Sequence, residues 1–419
     1  MKKKNNYIKS DFIKNIIKLL TTTSVAQLIP LLITPVLTQY FTAEDFGTYG
    51  LYISICTILG IIAAGRYDVA IMLPKKNKDA LNIVAICFLL TSIFSITCFF
   101  ILDIFKIQLY DLTKSEIFNK YYFFIPITIF LISINQTLIV WFNRQKKYSL
   151  IGEHNLLKSS TNSFSALVLG LKKISSGMII GNIISLIITM IFNFHDFISS
   201  TNFNKINIKS TYNNFKKYIV FFKYSTFSNL FNSLSNIGMT ALIALFFGIK
   251  VAGYYFLAER IISIPISILT SSVSQVYFQE ASLLYHNNKK ALLLLTNDIQ
   301  KKIFIFLFPF LLILSLWGED LFSLFGNEWS ESGLIIKYFS IFILFKNIYS
   351  PISTIGDILK KQKLLLMFNV SLFLFQVSSF YFLKELGNIN YALLLSSSIG
   401  ASHYIILSTY MKRKIIHND

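Results

Sequence analysis

Leu81-Asn-Ile-Val-Ala-Ile-Cys87-Phe-Leu-Leu-Thr-Ser-Ile-Phe-Ser-Ile-Thr-Cys98-Phe-Phe-Ile-Leu102 contains no charged residue. A helix of this length spans about 30 Å, the thickness of a bilayer's hydrocarbon core. Runs of the same kind recur on both sides of it. The 419-residue chain is 54% hydrophobic and only 14% charged, whereas soluble domains carry about 25% charged residues. Its mean hydropathy is +0.59. Alternation of strand length is absent, which argues against a β-barrel. These features predict an all-α integral membrane protein.

The apolar runs predict twelve transmembrane helices, at about 16–40, 48–65, 81–102, 121–142, 150–170, 174–194, 218–247, 252–280, 303–323, 334–356, 364–383 and 390–411. The fifth is the most polar, with Glu153, His154 and Lys158. Of the 39 Lys and Arg residues, 27 fall in the two tails and in the loops that share their side of the membrane. The opposite loops hold 8, and four (Lys158, Lys223, Arg260, Lys346) lie within helices. Loop 318–333 has no Lys or Arg but four acids. The positive-inside rule therefore places both termini in the cytoplasm. The lysine-rich start followed by an apolar run resembles a signal peptide. The run is long, holds Pro30 and Pro35 and has no small-residue cleavage site, so it is read as an uncleaved first helix.

A repeat runs through the chain. Tyr40-Phe41-Thr-Ala-Glu-Asp-Phe-Gly47-Thr-Tyr49 follows the first predicted helix, and Phe246-Phe247-Gly-Ile-Lys-Val-Ala-Gly253-Tyr-Tyr255 follows the seventh. An aromatic, a Gly and a Tyr recur in register. Two similar turns would arise by chance in some chains, but the offset of about half the length suits a transporter built from two six-helix halves. The expected division is residues 1–194, a cytoplasmic linker 195–217, and residues 218–419.

Several chemistries find no support. The net charge of +19 suggests nucleic acid, but the lysines sit in clusters at loop edges between apolar helices. Lys, Asn, Ile, Phe and Tyr are abundant together, the mark of an AT-rich genome, which explains the number of lysines but not their placement. No GxxxxGK[ST] phosphate loop is present. Cys56, Cys87 and Cys98 lie in apolar segments, without metal spacing and in odd number, and read as small core residues. His154 and Lys158 are one turn apart, with no acidic or cysteine partner in ligand spacing, so no metal is expected. No catalytic constellation and no cofactor is expected either.

Polar stripes at helical spacing run along helices that lipid alone would keep apolar. They comprise Thr23, Gln27, Thr34 and Thr38; Asn155, Ser159, Asn162 and Ser163; Ser225, Asn229, Asn232, Ser233, Asn236 and Thr240; Arg260, Ser263, Ser267, Ser271 and Ser274; and Lys346, Ser350, Ser353 and Asp357. A polar face inside a bilayer looks at protein or at water. For Ser and Thr alone, tight helix packing is explanation enough. The cations argue for more, because a charge at the bilayer centre costs about 2.5–3.5 kcal/mol on insertion scales. Arg260 and Lys346 lie deep in their helices, on the polar stripes. They either pair with acids such as Glu259 or line a cavity that receives an anion. Lys158 is nearer the cytoplasmic end of its helix. Lys223 lies off the stripe, where its stem reaches the interface. Arg66 ends the second helix as a positive-inside anchor or as an entrance for a phosphate head group. In such a cavity the cations answer phosphate, while Gln27, Asn155, Asn162, Asn229, Asn232, Asn236, Ser263 and Ser267 answer sugar hydroxyls.

Three segments carry a family resemblance. Thr34-Pro35-Val-Leu-Thr38-Gln-Tyr-Phe-Thr-Ala-Glu-Asp-Phe-Gly47-Thr-Tyr-Gly50 resembles the first-helix signature of Wzx-type polysaccharide flippases, in the superfamily that includes the multidrug and toxin extruders. Arg66-Tyr67-Asp68 through Pro74-Lys75 follows at the expected spacing, and Gly253 through Val276 resembles the family's eighth helix. The resemblance implies a V-shaped bundle of two six-helix halves with a central cationic cavity. It implies that an undecaprenyl-pyrophosphate-linked oligosaccharide is flipped from the cytoplasmic to the outer leaflet of a bacterial inner membrane, for O-antigen lipopolysaccharide or capsule. It further implies membrane lipids as surroundings, with a polysaccharide polymerase and a chain-length regulator as partners. Arg260 inherits the pyrophosphate-binding role best, and Arg66 sits in a matching motif at the membrane edge. A proton or sodium gradient suits this fold, with Asp68 and Glu259 as the candidates for coupling.

Three other readings compete, and one of them, a structural or adaptor membrane protein, leaves the deep charges unexplained. A drug/cation antiporter of the same fold should show acids in its cavity, and here the deep charges are mostly positive. A membrane polymerase or ligase of lipid-linked sugars usually has a large external loop with paired arginines or a histidine, and the loops at 103–120 and 318–333 have neither. A transporter, not an enzyme, is therefore expected.

Overall fold

A computed structural model describes residues 21–105, 116–201, 206–359 and 361–416. The first residues of the expected helix at 16–40 and part of the loop at 103–120 lie outside the described residues. Each of the twelve expected helices has a counterpart, and no strand occurs among the described residues. In chain order they are α1 (Thr21–Leu37), α2 (Ala43–Ala63), α3 (Asn77–Ile104), α4 (Ile125–Arg144), α5 (Tyr148–Leu171), α6 (Gly177–Ser200), α7 (Thr226–Asn236 and Met239–Phe247), α8 (Ile249–Asn287), α9 (Lys289–Ser323), α10 (Ser330–Tyr349), α11 (Gln362–Leu383) and α12 (Ile389–Ile416). Among the described residues nine helices are long and apolar enough to cross a membrane, or ten if the two parts of α7, bent by 54° at a short break, are counted as one span. The described part of α1 is shorter, and α5 carries the polar residues already noted.

Helix ends differ from the expected ones for local reasons. Residues 281–302 read as a loop, yet α8 runs on to Asn287 and α9 starts at Lys289. The Asn288 side chain accepts a hydrogen bond from the Ala291 amide at 3.0 Å, the usual way to close a helix N-terminus. The polar composition that suggested a loop belongs to helix continuing past the apolar stretch. The segment 195–217 likewise holds the end of α6 and a helix at Ile208–Lys217. Between α2 and α3, Gly65 and Arg66 are both left-handed, at φ 58° and 59°, and turn the chain into the short helix Tyr67–Ala70.

The chain packs as two compact units, one of Met1–Phe41 with Thr48–Ser233 and the other of Thr42–Gly47 with Leu234–Asp419. In the first, Tyr67, Ile83, Cys87, Leu138 and Phe142 form part of a buried apolar cluster. Interhelical hydrogen bonds cross it. Thr91 meets Ser133 at 2.8 Å, Asn193 donates to Asn135 at 2.7 Å, and Asn135 donates to the Leu186 carbonyl at 3.1 Å. In the second unit Gln300 donates to Ser408 at 2.8 Å, joining α9 to α12, and Ser315 donates to Ser340 at 3.0 Å, joining α9 to α10. In hydrocarbon such polar groups have no water to fall back on, so helices satisfy one another.

Candidate functional site

In the second unit α8 packs against α10. Glu259 of α8 and Lys346 of α10 are both half-buried, and their opposite charges attract. The Lys346 ammonium also lies 5.7 Å from the centre of the Phe342 ring, one turn earlier, within reach of a cation–π attraction. An aromatic wall continues from there. Phe342 neighbours Phe339 at 5.1 Å and Tyr404 at 5.8 Å, and Phe339 meets Tyr255 at 5.1 Å. Tyr404 donates a 3.4 Å hydrogen bond to the Asn236 amide oxygen of α7. Gly400 leaves room for this wall, since a Cβ there would run into the Phe342 ring. Arg260 follows Glu259 in α8 and is half-buried too.

The polar stripes divide into two sets. Thr34, Thr38, Ser163, Ser233 and Thr240 are buried. Thr34 and Thr38 donate back to the carbonyls of Pro30 and Pro35, whereas the Ser163 and Thr240 hydroxyls are buried without a hydrogen-bond partner among the described residues. Gln27, Asn155, Asn162, Asn229, Asn236 and Ser267 are half-buried, and Asn232 and Ser263 are exposed. Asn229 donates to the Ser225 carbonyl at 2.9 Å and Ser267 to the Ile264 carbonyl at 2.8 Å. Lys158 keeps exposed surface although protein crowds around it at longer range. The Asp357 side chain lies outside the described residues.

Arg66 and Asp68 meet in the first unit, with a guanidinium nitrogen 3.6 Å from a carboxylate oxygen. Asp68 is buried, and its second oxygen and the Arg66 Nε are buried without hydrogen-bond partners. Burial pushes the Asp68 carboxyl above its ordinary value, and the Arg66 charge offsets part of the rise. The Tyr67 hydroxyl, pushed up to about 12 by burial, donates to the Phe215 carbonyl at 2.8 Å.

Sequence reading missed two clusters. Arg144, counted there only as a basic loop residue, donates to the carbonyls of Ile71 at 3.0 Å, Met72 at 3.3 Å and Pro74 at 2.6 Å, and to the Asn77 side chain at 3.1 Å. It ties the end of α4 to the turn before α3. His154 had no acidic partner in ligand spacing, but α6 brings Asp196 to 3.0 Å from its Nε2. Only the pairing of α5 with α6 could reveal that contact. No group of three or more metal-ligating side chains occurs among the described residues.

No curated protein matches the chain in sequence. The fold does have solved counterparts. The lipid II flippase MurJ, in an inward closed conformation, superposes with a TM-score of 0.73 at 17% identity, over 95% of this chain and 90% of its own. A MOP superfamily transporter from Pyrococcus furiosus gives 0.66 at 14% identity, over 96% and 95%. An outward-facing multidrug resistance MATE family transporter of the MOP superfamily gives 0.65 at 14% identity, over 96% of both chains. At these identities the likeness establishes the fold alone, one shared with these transporters. A sequence family described as polysaccharide biosynthesis protein matches residues 36–333, well over half the chain. With its helices arranged as in these transporters and its sequence matched over that length, the chain belongs to the polysaccharide biosynthesis protein family.

Proposed function

We propose that the protein flips undecaprenyl-pyrophosphate-linked oligosaccharide units from the cytoplasmic to the outer leaflet of a bacterial inner membrane, supplying O-antigen or capsule synthesis. Membership of a polysaccharide biosynthesis family supports this reading, as does the fold shared with a lipid II flippase. The observation that carries it is two half-buried cations, Arg260 and Lys346, on apolar helices long enough to cross a membrane, whose polar stripes also carry serine hydroxyls. A guanidinium grips phosphate through two parallel hydrogen bonds, an ammonium acts as a point charge, and amides answer sugar hydroxyls. Lys158 and Arg66 are further basic candidates for phosphate, and Asn155, Asn162, Asn229, Asn232 and Asn236 are candidates for sugar hydroxyls. Both termini lie in the cytoplasm on this reading. Glu259, beside Lys346, and Asp68 are the groups proposed to couple transport to a proton or sodium gradient. Glu259 is also the feature that favours a MATE-like cation exporter, and the Lys346 charge beside it weighs against that alternative.

The test is surface polysaccharide at matched expression. Arg260→Ala should insert normally and abolish it, while Arg260→Lys should restore part, because the charge remains and the bidentate fork is lost. Wild-type polysaccharide in Arg260→Ala cells refutes the proposal.

A further inference from the structure

The helix Ile208–Lys217 has two dissimilar sides. At about 100° per residue, Ser210, Thr211, Asn214, Phe215 and Tyr218 share one arc, half-buried or buried. This arc is fixed in place. The Asn82 side chain of α3 accepts from the Asn207 amide at 3.0 Å and from the Thr211 hydroxyl at 2.9 Å, and Phe215 stacks on Tyr67 at 5.5 Å. The opposite arc grades from Ile208, 89% exposed, and Tyr212, 57% exposed, to the exposed Lys209, Lys216 and Lys217. Lys216 folds over the Tyr212 ring at 4.6 Å, leaving its charge beside the apolar edge.

The height of this helix relative to the bilayer follows from the chain. It ends at Lys217, and the apolar segment that crosses with α7 begins at Phe221. The exposed Val220, Phe222 and Tyr224 continue the apolar edge into that segment. No Asp or Glu occurs from Phe197 to Ala258, so nothing nearby in sequence neutralises the lysines. An apolar edge bordered by lysines, rigidly mounted at the start of a membrane span, matches the boundary between acyl chains and anionic head groups.

We infer that the outer face of Ile208–Lys217 is a binding surface for anionic phospholipid, with Ile208 and Tyr212 dipping into the acyl boundary and Lys209, Lys216 and Lys217 holding phosphate head groups. This surface goes beyond the transport reading and does not depend on it. The probe is Ile208→Trp in the full-length protein, in nanodiscs of phosphatidylcholine with phosphatidylglycerol at a fixed ratio, one or the other brominated in its acyl chains. The parent protein supplies the background from the native tryptophans. Per mole of quencher, brominated phosphatidylglycerol should quench the introduced indole at least about threefold more strongly than brominated phosphatidylcholine. K209Q/K216Q/K217Q should bring the ratio to about one, and K209R/K216R/K217R should keep it. Quenching of the exposed native Trp317 should be the same in every variant, which confirms that each is folded and inserted. Equal quenching by the two lipids before the lysines are changed overturns the inference. So does an absence of quenching, which would leave the face to a soluble partner.

Discussion

Gly47 and Gly253 lie backbone against backbone, and a Cβ added to either would stand 2.9 Å from the amide nitrogen of the other. The same Cβ would also strike a carbonyl, that of Ile249 for Gly47 and that of Ala43 for Gly253. Neither neighbour is a side chain that can swing away. Gly47→Ala and Gly253→Ala should each destabilise the protein by about 1–3 kcal/mol, the usual range for overpacking. Thermal unfolding in detergent checks this, and Gly387→Ala is a useful contrast. A Cβ at Gly387 meets nothing within 4 Å, although its φ of +65° adds backbone strain.

The Glu259–Lys346 pair should behave as a unit. Glu259→Gln strands an ammonium in the membrane, and Lys346→Met strands a carboxylate. The double variant removes both charges. Unfolding of the four proteins in a double-mutant cycle should give a coupling of about 0.5–3 kcal/mol, with the double variant more stable than the two single losses added together. Additive losses would mean that the two charges do not sense each other.

Arg144→Ala should loosen the turn before α3, because three backbone carbonyls and the Asn77 side chain lose their donor. A loss of about 1–3 kcal/mol is expected, together with faster proteolysis within 71–77. Arg144→Lys should recover little, since one ammonium cannot reproduce the spread of a guanidinium.

The pH response of the turn holding Asp68 follows from the direction of its shift. Burial raises the carboxyl's folded value despite Arg66. Its contribution to stability is therefore full below the unfolded value, near about 3.9, and is lost as pH rises through the folded value. The difference in Tm between Asp68→Asn and the unaltered protein should move in the variant's favour as pH rises from acid to neutral. Arg66→Gln removes an offsetting charge, so the change should shift to higher pH.

The twelve helices were legible because each signals itself locally, through about 20 apolar residues or basic flanks. The helix–turn boundary at Asn288 was not, because a helix that leaves the bilayer becomes polar without ceasing to be a helix. The repeat marked Gly47 and Gly253 as equivalent but gave no hint that they touch, because contact is a tertiary fact. Arg260 and Lys346 stood out as charges in apolar runs. Arg144 and His154 did not, since Arg144 lay among ordinary loop-edge cations and the partner of His154 came from a different helix. The stripes overstated the site. Periodicity places Thr34 and Asn155 on polar faces alike, and only packing separates a hydroxyl turned back on its own helix from an amide left accessible.

The turn at Asn288 has a mechanical corollary. A single residue separates 39 residues of α8 from 35 of α9, so the joint has almost no slack. Tilting the end of one helix at Asn288 must carry the adjoining end of its neighbour through the same arc. A lengthened hinge, such as several glycines inserted after Asn288, would uncouple that motion while leaving the residues within both helices unchanged.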